Sequence, residues 1–379
     1  MIDFNRPYLT GKELEYIHQA VKLRKISGNG EFTRKCQNFF EKRYGLIKCL
    51  LTTSCTDALE MCALLIGIKE GDEVIVPSYT FVSTANAFVL RGARIVFADS
   101  GSENPNVDAG QIENLITSRT KALVVVHYAG VACDMDKIMK IAEKYKLYVI
   151  EDNAQGIDSF YNGKPLGSIG HLGVFSFHET KNIISGEGGM LVINDKRFLE
   201  KAEIIWEKGT NRAAFFRGET DKYGWVDIGS SFLPSEIIAA FLYAQLENLQ
   251  LIQEKRREIW NRYYHSLLPL EKSGLLGLPV IPEYSTNNAH MFYLVSRNAE
   301  ERTSLIGFLR KRGIYAVFHY LSLHQSPYYR KLHDGRSLPM ADRYSDCLVR
   351  LPLFFELTGK ETDQITAAIK EFYKNRIKK

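Results

Sequence analysis

The segment Ser176–Lys181 reads SFHETK, and the segment Gly186–Gly189 that follows it reads GEGG. An apolar run at Val174–Phe177 leads into the polar residues, and a second apolar run begins at Met190. Short apolar runs bounded by polar and glycine-rich connections are typical of strands buried on both faces. The segment therefore predicts two buried strands, with Lys181 in the polar connection that follows the first.

Similar apolar runs lie upstream, and amphipathic segments such as Asp136–Tyr145 separate them. These runs are Leu50–Leu51, Glu73–Pro77, Arg94–Ala98, Ala122–Val126 and Leu147–Ile150. Alternation of buried strands with amphipathic helices is typical of a mainly parallel sheet covered by helices. The sequence therefore predicts an α/β fold.

After these runs, the regular alternation of buried strands and amphipathic helices ends. A helical pattern over Glu236–Tyr264 contains few breakers, and strands such as His290–Val295 then mix with helices. We place a boundary within the long helical pattern, near residues 245–255. This predicts a large domain over residues 1–250 and a smaller C-terminal α/β domain over residues 251–379.

The composition is that of an ordinary globular protein, with 45% hydrophobic and 25% charged residues and a net charge of +5. The basic end at Lys374–Lys379 has no interleaved aromatic residues, which favours a solvated helix end over a nucleic-acid contact. No run approaches the ~18 apolar residues of a membrane helix, and Met1–Asn5 lacks the features of a signal peptide. The six cysteines have no metal-ligand spacing. We therefore expect reduced thiols, no metal site, no membrane or nucleic-acid partner and a cytoplasmic location.

Two polar segments could bind parts of a phosphorylated aromatic ligand. Thr52–Thr56 reads TTSCT and precedes a helix expected to begin near Asp57, so its hydroxyl and N–H groups form either an anion site or an ordinary helix cap. Phe81 follows the run that ends at Pro77, where ligands of parallel sheets collect. Its ring either covers one face of a pyridine ring or packs in the core.

Asp152 and Lys181 complete the pattern. Asp152 follows an apolar strand, where a carboxylate could keep a pyridine nitrogen protonated; a helix cap or metal ligand is the alternative. A partly buried lysine beside a cationic ring loses basicity and becomes a usable nucleophile and base. In chain order, a phosphate cradle, an aromatic ring, an acid and a lysine predict a pyridoxal 5′-phosphate (PLP) enzyme, with Lys181 carrying the cofactor as a Schiff base.

From Phe4 to about Leu357 the chain resembles the DegT-type nucleotide-sugar aminotransferases, a group of fold-type I PLP enzymes. The resemblance rests on Pro77–Asn86 (PSYTFVSTAN), Val126–Val131 (VHYAGV) and Ser176–Gly189. A narrower resemblance is to the transaminases that form dTDP-4-amino-4,6-dideoxygalactose. This narrower resemblance rests on the motifs FHETK at Phe177–Lys181, EKGTNR at Glu207–Arg212 and FRG at Phe216–Gly218.

The resemblance implies a role for each matching residue. Lys181 carries the cofactor and moves the proton, and Asp152 pairs with the pyridinium nitrogen. Gln155 lies near the phenolic oxygen of the ring, and Phe81 stacks on the ring. The residues implied to hold the phosphate are Ser54, Cys55, Thr56 and Ser176.

One segment departs from the family pattern. The family commonly has Gly-x-Asn-x-Arg where this chain reads GSSFL at Gly229–Leu233. Ser231 would then replace an asparagine that reaches the phosphate in the neighbouring subunit. The resemblance also implies a homodimer whose active sites draw residues from both subunits.

Substrate-binding residues are expected in two segments. Arg212 and Arg217 lie in a loop, where their guanidinium groups suit a carboxylate or a diphosphate, or are ordinary surface arginines. His319, Tyr320 and His324 lie in VFHYLSLH, which resembles the substrate-facing segment of the family.

The resemblance implies that the enzyme transfers an amino group from L-glutamate to C4 of dTDP-4-keto-6-deoxy-D-glucose. The product would be dTDP-4-amino-4,6-dideoxy-D-galactose, for the biosynthesis of a surface glycan such as a lipopolysaccharide O-antigen. A sister enzyme that forms the gluco epimer or acts at C3 is an alternative, as is a non-catalytic regulator on the same fold. Lys181 excludes the related dehydratases, which carry histidine at this position, and TTSCT replaces the Gly-x-Gly-x-x-Gly of a nicotinamide-binding protein.

Overall fold

The computed structural model describes residues 1–377, so Lys378 and Lys379 of the basic end lie outside the described residues. The strands are β1 (Lys48–Thr52), β2 (Glu73–Pro77), β3 (Arg94–Ala98), β4 (Thr120–Val126), β5 (Tyr148–Asp152), β6 (Phe160–Tyr161), β7 (Lys164–Pro165), β8 (Leu172–Ser176), β9 (Gly189–Ile193), β10 (Phe292–Val295) and β11 (Leu348–Leu351).

Helices cover both faces of the strands. They are α1 (Glu13–Lys22), α2 (Glu31–Tyr44), α3 (Cys55–Leu65), α4 (Ser83–Val89), α5 (Met135–Tyr145), α6 (Leu199–Trp206), α7 (Arg212–Phe216), α8 (Glu236–Glu247), α9 (Leu249–Lys272), α10 (Ala299–Lys311), α11 (Pro339–Cys347) and α12 (Gly359–Ile377). Within residues 1–377, no helix is both long enough and apolar enough to cross a membrane.

The main sheet has seven strands in the order β1-β9-β8-β5-β4-β2-β3. All its neighbouring strands run parallel except β9, which is antiparallel to both β1 and β8. Every residue of β2 and of β9 is buried, because helices pack on both faces of the sheet. The prediction of a mainly parallel α/β sheet is confirmed.

This topology brings the polar ends of distant strands to one edge. Since β9 is antiparallel to its two neighbours, β1 points in the same direction as β8, β5, β4 and β2. Thr52, Pro77, Asp152 and Ser176 are the last residues of four of these strands. The segments that follow them therefore meet at the carboxyl edge of the sheet, where ligands of parallel sheets bind.

The long helical pattern over Glu236–Tyr264 forms two helices rather than one. Helix α8 ends at Glu247 and α9 begins at Leu249, with Asn248 between them at φ −106° and ψ 11°. The Asn248 side chain donates to the carbonyl of Ala244 at 3.0 Å. Asparagine side chains compete with the helical backbone for hydrogen bonds in this way, which explains the break.

A second apolar cluster lies around β10, β11, α9, α10 and α12, and Tyr263, Phe292, Leu305 and Ile365 are fully buried in it. Ile2 from the start of the chain also belongs to this cluster and pairs with Ile314. The division into domains over residues 1–250 and 251–379 stays a prediction, with its boundary at the start of α9.

Candidate active site

A cavity of about 430 Å³ opens at the carboxyl edge of the main sheet. Ten residues singled out in the sequence line it, namely Ser54, Cys55, Thr56, Phe81, Asp152, Gln155, Ser176, Lys181, His319 and Tyr320. They come from chain segments far apart in sequence, and the strand order described above brings them together.

The TTSCT segment serves as both a helix cap and an anion site. The Oγ atom of Ser54 accepts a hydrogen bond from the N–H of Asp57 at 3.0 Å, so Ser54 caps α3. Within residues 1–377, the N–H groups of Cys55 and Thr56 have no hydrogen-bond acceptor. Both residues lie at the cavity wall. Free N–H groups at the start of a helix favour a phosphate.

Lys181 lies in a tight connection between β8 and β9. The N–H of Phe177 donates to the carbonyl of Gly188 at 2.8 Å, and the N–H of Glu179 donates to that of Gly186 at 2.9 Å. Gly186 has a φ of 78° and Gly188 a φ of 157°, conformations that residues with a Cβ rarely adopt. The glycines of GEGG therefore allow the chain to fold back and present Lys181 to the cavity.

Burial shifts the pKa values of the two ionisable groups at the cavity floor. Asp152 is 5% exposed; its Oδ2 accepts from Thr84 Oγ1 at 2.7 Å and its Oδ1 from the N–H of Ala154 at 3.2 Å. Burial raises the pKa of Asp152, while these hydrogen bonds and the charge of Lys181 oppose the shift. Burial lowers the pKa of Lys181, and the charge of Asp152 partly opposes that shift.

A polar and aromatic wall faces these two groups. Gln155 Nε2 donates to the hydroxyl of Tyr320 at 3.0 Å, and the hydroxyl of Tyr128 lies 2.7 Å from His319 Nδ1. The rings of His319 and Tyr320 stack with centroids 3.5 Å apart. Burial lowers the pKa of His319 well below its ordinary value, so this ring is neutral. Phe81 is 55% exposed at the cavity, where its ring is available for stacking.

Three predicted residues lie elsewhere in this chain. Ser231 and Arg212 line a different cavity, of about 540 Å³. Arg217 forms ion pairs with Glu203 and Glu219, each at 2.7 Å. The single chain therefore does not bring these three side chains to Lys181, and the cross-subunit role of Ser231 stays a prediction.

His324 also lies away from the cavity. Its Nδ1 is 2.7 Å from the Oγ of Ser78, and its ring packs near those of Phe97 and His333. The segment turns after Tyr320, so His324 fills a buried site behind the cavity wall. No contact within the described residues supports a substrate-binding role for it.

The cavity also contains residues that the sequence did not single out, among them Thr84, His290 and Arg350. Thr84 lies within PSYTFVSTAN, and its hydrogen bond to Asp152 follows from the packing of α4. Arg350 is the one charged residue in the run LVRLPLF at 348–354, which was the only local sign of a special role. Neither the run nor its spacing indicates that it reaches Lys181.

The cavity residues fit PLP. The free N–H groups at the start of α3 suit its phosphate, the buried carboxylate of Asp152 suits a protonated pyridine nitrogen, and Lys181 has the lowered pKa that an amine nucleophile needs. In the described part of the chain, no cluster of three or more His, Cys, Asp or Glu side chains could hold a metal ion.

Comparisons with known proteins agree with this chemistry. GDP-perosamine synthase of Escherichia coli O157:H7 is 33% identical to this chain over 378 residues, covering 98% of each. The solved structure of the aminotransferase TlmJ from Streptoalloteichus hindustanus is 28% identical, with a TM-score of 0.91 over 99% of each chain. Spr1654 of Streptococcus pneumoniae, solved in a PLP form, shares the fold at a TM-score of 0.90, with 24% identity over 99% of each chain.

Residues 7–370 match the DegT/DnrJ/EryC1/StrS aminotransferase family, whose enzymes use PLP and transfer an amino group to a nucleotide sugar. The match covers nearly the whole chain, including all residues that line the cavity and most of the second apolar cluster. The chain therefore belongs to the DegT/DnrJ/EryC1/StrS aminotransferase family.

Proposed function

We propose that this enzyme transfers the amino group of L-glutamate to C4 of dTDP-4-keto-6-deoxy-D-glucose and forms dTDP-4-amino-4,6-dideoxy-D-galactose for a surface glycan. The observation that carries the reaction type is the meeting of Lys181, Asp152 and two free helix N–H groups in one cavity. The choice of sugar rests on the motifs FHETK, EKGTNR and FRG.

Different residues of the cavity bind the cofactor and transfer protons. PLP, when bound, would supply an electron sink for the amino transfer. The Cys55 and Thr56 N–H groups would hold its phosphate, and the carboxylate of Asp152, fixed by Thr84, would hold its pyridine nitrogen.

Lys181 moves protons at the reacting carbons. Because burial lowers its pKa, a larger fraction of its Nζ is neutral near pH 7 and can accept the proton from Cα of glutamate. A positioned base of this kind contributes roughly 10²–10⁴-fold to the rate. Lys181 approaches from one side of the cavity, so the proton that it delivers to C4 of the sugar sets a single configuration.

The stacked rings of His319 and Tyr320 form the wall on which we place the sugar. The His319 ring is neutral and its Nδ1 is paired with the hydroxyl of Tyr128, so its remaining nitrogen can bond a sugar hydroxyl. Gln155 orients the hydroxyl of Tyr320. These neutral polar groups suit a sugar and do not add charge near Lys181.

We also infer a cytoplasmic homodimer. Phe216, Trp225 and Val226 are exposed in the segment between Arg212 and Ser231, with Trp225 86% exposed. Exposed apolar groups of this kind are typical of surfaces that a partner covers. A second copy that covers this segment would bring Arg212 and Ser231 toward the cavity of its neighbour. The six cysteines are free thiols, as expected in a reducing compartment.

A second candidate acceptor is a GDP-linked 4-ketosugar. The similarity to the protein named GDP-perosamine synthase, at 33% identity over 98% of both chains, favours it. Both candidates require amination of a 4-keto carbon in the same cavity. They differ in the nucleotide that the sugar carries.

The test is to incubate the PLP-loaded enzyme with L-glutamate and a panel of dTDP-, UDP- and GDP-linked ketosugars, and to determine the product by NMR. We expect conversion of dTDP-4-keto-6-deoxy-D-glucose to a product with an axial amino group at C4. An equatorial amino group would indicate the gluco epimer, and amination at C3 would indicate the other sister reaction. Preferential conversion of the GDP-linked ketosugar would establish the second candidate.

A further inference from the structure

Arg350 is a partly buried cation that the described part of the protein leaves without an anionic partner. It lies in β11, which pairs with β10. The backbone N–H of Arg350 donates to the carbonyl of Val317 at 2.7 Å. Its guanidinium group lines the cavity of Lys181. The Nε atom is buried and has no hydrogen-bond partner, and across residues 1–377 no carboxylate pairs with this side chain.

Arg256 shows how this fold treats an arginine with a structural role. Arg256 is buried, and its guanidinium group donates to the carbonyls of Ala289 at 3.1 Å and His290 at 2.7 Å. Arg350 has instead the ring of Phe4, whose centroid lies 4.7 Å from the guanidinium carbon. A ring orients a guanidinium group and covers one face of it, but leaves its N–H donors free.

Among the described residues, no carboxylate of the cavity lining is available to balance Arg350. The buried carboxylate of the lining is Asp152, whose oxygens accept from Thr84 and Ala154. Glu187 lies at the exposed rim, 3.8 Å from His178. Taking the Nε–H donor out of water without a partner is costly, so the free N–H donors of Arg350 are expected to receive an anion from a substrate.

We propose that Arg350 binds a carboxylate of the amino-group donor. The inference rests on the proposed function, since it assigns a residue to the first of the two substrates. A donor amino acid must bring its Cα next to Lys181, which also brings its α-carboxylate close to the cavity floor. The planar fork of a guanidinium group matches a carboxylate with two parallel hydrogen bonds.

Two other anions fit this position less well. The phosphate of the cofactor already has the N–H groups of Cys55 and Thr56 at the start of α3. A nucleotide diphosphate is too large for the floor of a 430 Å³ cavity that must also hold the cofactor and the sugar ring. Burial lowers the pKa of Arg350, opposed by the hydroxyls of Tyr128 and Tyr320, so an added anion would further favour its charged form.

The experiment compares wild type, Arg350→Gln and Arg350→Lys, each as the PLP-loaded enzyme. The loss of the visible absorbance of bound PLP is followed at increasing L-glutamate in single turnovers. We expect Arg350→Gln to raise the glutamate concentration for half-maximal rate by about 10–100-fold, because charge-assisted hydrogen bonds are lost. Arg350→Lys keeps the positive charge but loses the planar guanidinium group, so we expect its glutamate concentration for half-maximal rate to lie between those of wild type and Arg350→Gln.

Arg312→Gln is the matched control. Arg312 also lies over an aromatic ring, that of Phe308 at 3.6 Å, but does not line the cavity. We expect it to leave the glutamate dependence unchanged. The affinity for PLP, the melting temperature and the reaction of the pyridoxamine-phosphate form with the ketosugar should be the same in Arg350→Gln as in wild type. Equal losses in both half-reactions, or a lost affinity for PLP, would overturn the proposal.

A binding readout separates this proposal from the proposed function. 2-Oxoglutarate has the carboxylates of the donor but no amino group, and its binding to the PLP-loaded enzyme is measured as a shift in visible absorbance. We expect binding to wild type and at least tenfold weaker binding to Arg350→Gln. If glutamate and 2-oxoglutarate bind as expected but no ketosugar is converted, the proposed function fails and the role of Arg350 stands. If wild type binds neither, the role of Arg350 is refuted.

Discussion

Lys181 and Asp152 lie in one cavity, and burial shifts their pKa values in opposite directions. Burial disfavours the charged form of each group, while the two opposite charges favour each other. The lysine therefore loses its proton more easily than a surface lysine does. Thr84 and Ala154 fix the carboxylate with hydrogen bonds, so its position does not depend on the ligand.

The lowered pKa of Lys181 predicts a pH dependence of stability in the PLP-free protein. Between the folded pKa and the ordinary value of about 10.4, the unfolded chain binds this proton and the folded chain does not. The free energy of unfolding therefore gains a contribution that grows as the pH rises through this window. Urea denaturation at several pH values should show this rise in wild type but not in Lys181→Met.

Ionisable groups that do not interact with Lys181 contribute equally to both curves, so only the difference between the two curves is used. A difference that stays constant with pH would contradict the shift. Lys181→Met should also lack the visible absorbance of the PLP-loaded wild type.

Asp152→Asn removes a charge and keeps the shape of the side chain. The amide oxygen can still accept from Thr84 or Ala154, so we expect little change in melting temperature. Loss of the charge facing the pyridine nitrogen should lower kcat by about 10²–10³-fold, a size typical of lost electrostatic stabilisation at an active site. Stopped-flow measurement of the glutamate half-reaction checks this.

Asp136→Asn is the control, since Asp136 is exposed in the first turn of α5. It should leave kcat unchanged. A change in PLP affinity alone in Asp152→Asn, with kcat retained, would argue against the assigned role.

At the scale of elements, the start of β9 determines the shape of the phosphate cradle. A Cβ atom on Gly189 would lie 2.3 Å from the carbonyl carbon of Ser54 and 2.4 Å from the nitrogen of Cys55. Real Cβ atoms do not approach backbone atoms so closely. The absence of a side chain on Gly189 therefore lets β9 pass directly beside the first turn of α3.

Gly189→Ala should destabilise the protein by about 1–3 kcal/mol, as overpacking of a core commonly does, and should weaken PLP binding because it displaces the N–H of Cys55. Thermal unfolding and PLP titration measure the two effects. Gly307→Ala is the matched control: Gly307 lies in α10, where a Cβ would meet no atom of the described residues within 4 Å, and alanine there should stabilise by about 0.5–1 kcal/mol. Unchanged PLP affinity in Gly189→Ala would refute the role of this contact.

The bounds of two strands of the main sheet could be predicted from the sequence, and those of the other strands and of the helices less well. β2 and β3 have the predicted bounds, Glu73–Pro77 and Arg94–Ala98, because both are short apolar runs between polar residues. The break at Asn248 was missed because its neighbours continue the helical pattern on either side. A single side-chain hydrogen bond to the backbone decided that break.

At the scale of the whole molecule, the exposed apolar segment between Arg212 and Ser231 predicts self-association. Trp225→Asp adds a charge where we expect a second copy to pack, so it should shift the protein from dimer to monomer in light scattering. Activity should fall with it, because Ser231 then no longer reaches the neighbouring cavity.

Tyr328→Asp changes a residue that is 67% exposed outside that segment, and it should leave the dimer intact. A monomeric wild-type protein, or a dimer that survives Trp225→Asp, would contradict the predicted interface.

The sequence by itself determined the α/β class, the presence of the strands of the main sheet and the four main parts of the cavity, because buried strands and the turns after them carry local signals. Only the tertiary structure decided that Arg350 joins Lys181 and that His324 turns away to Ser78. These outcomes depend on how β11 and the segment after Tyr320 pack against distant strands. Packing between segments far apart in the chain leaves no periodicity or spacing in the sequence, so local patterns could not reveal it.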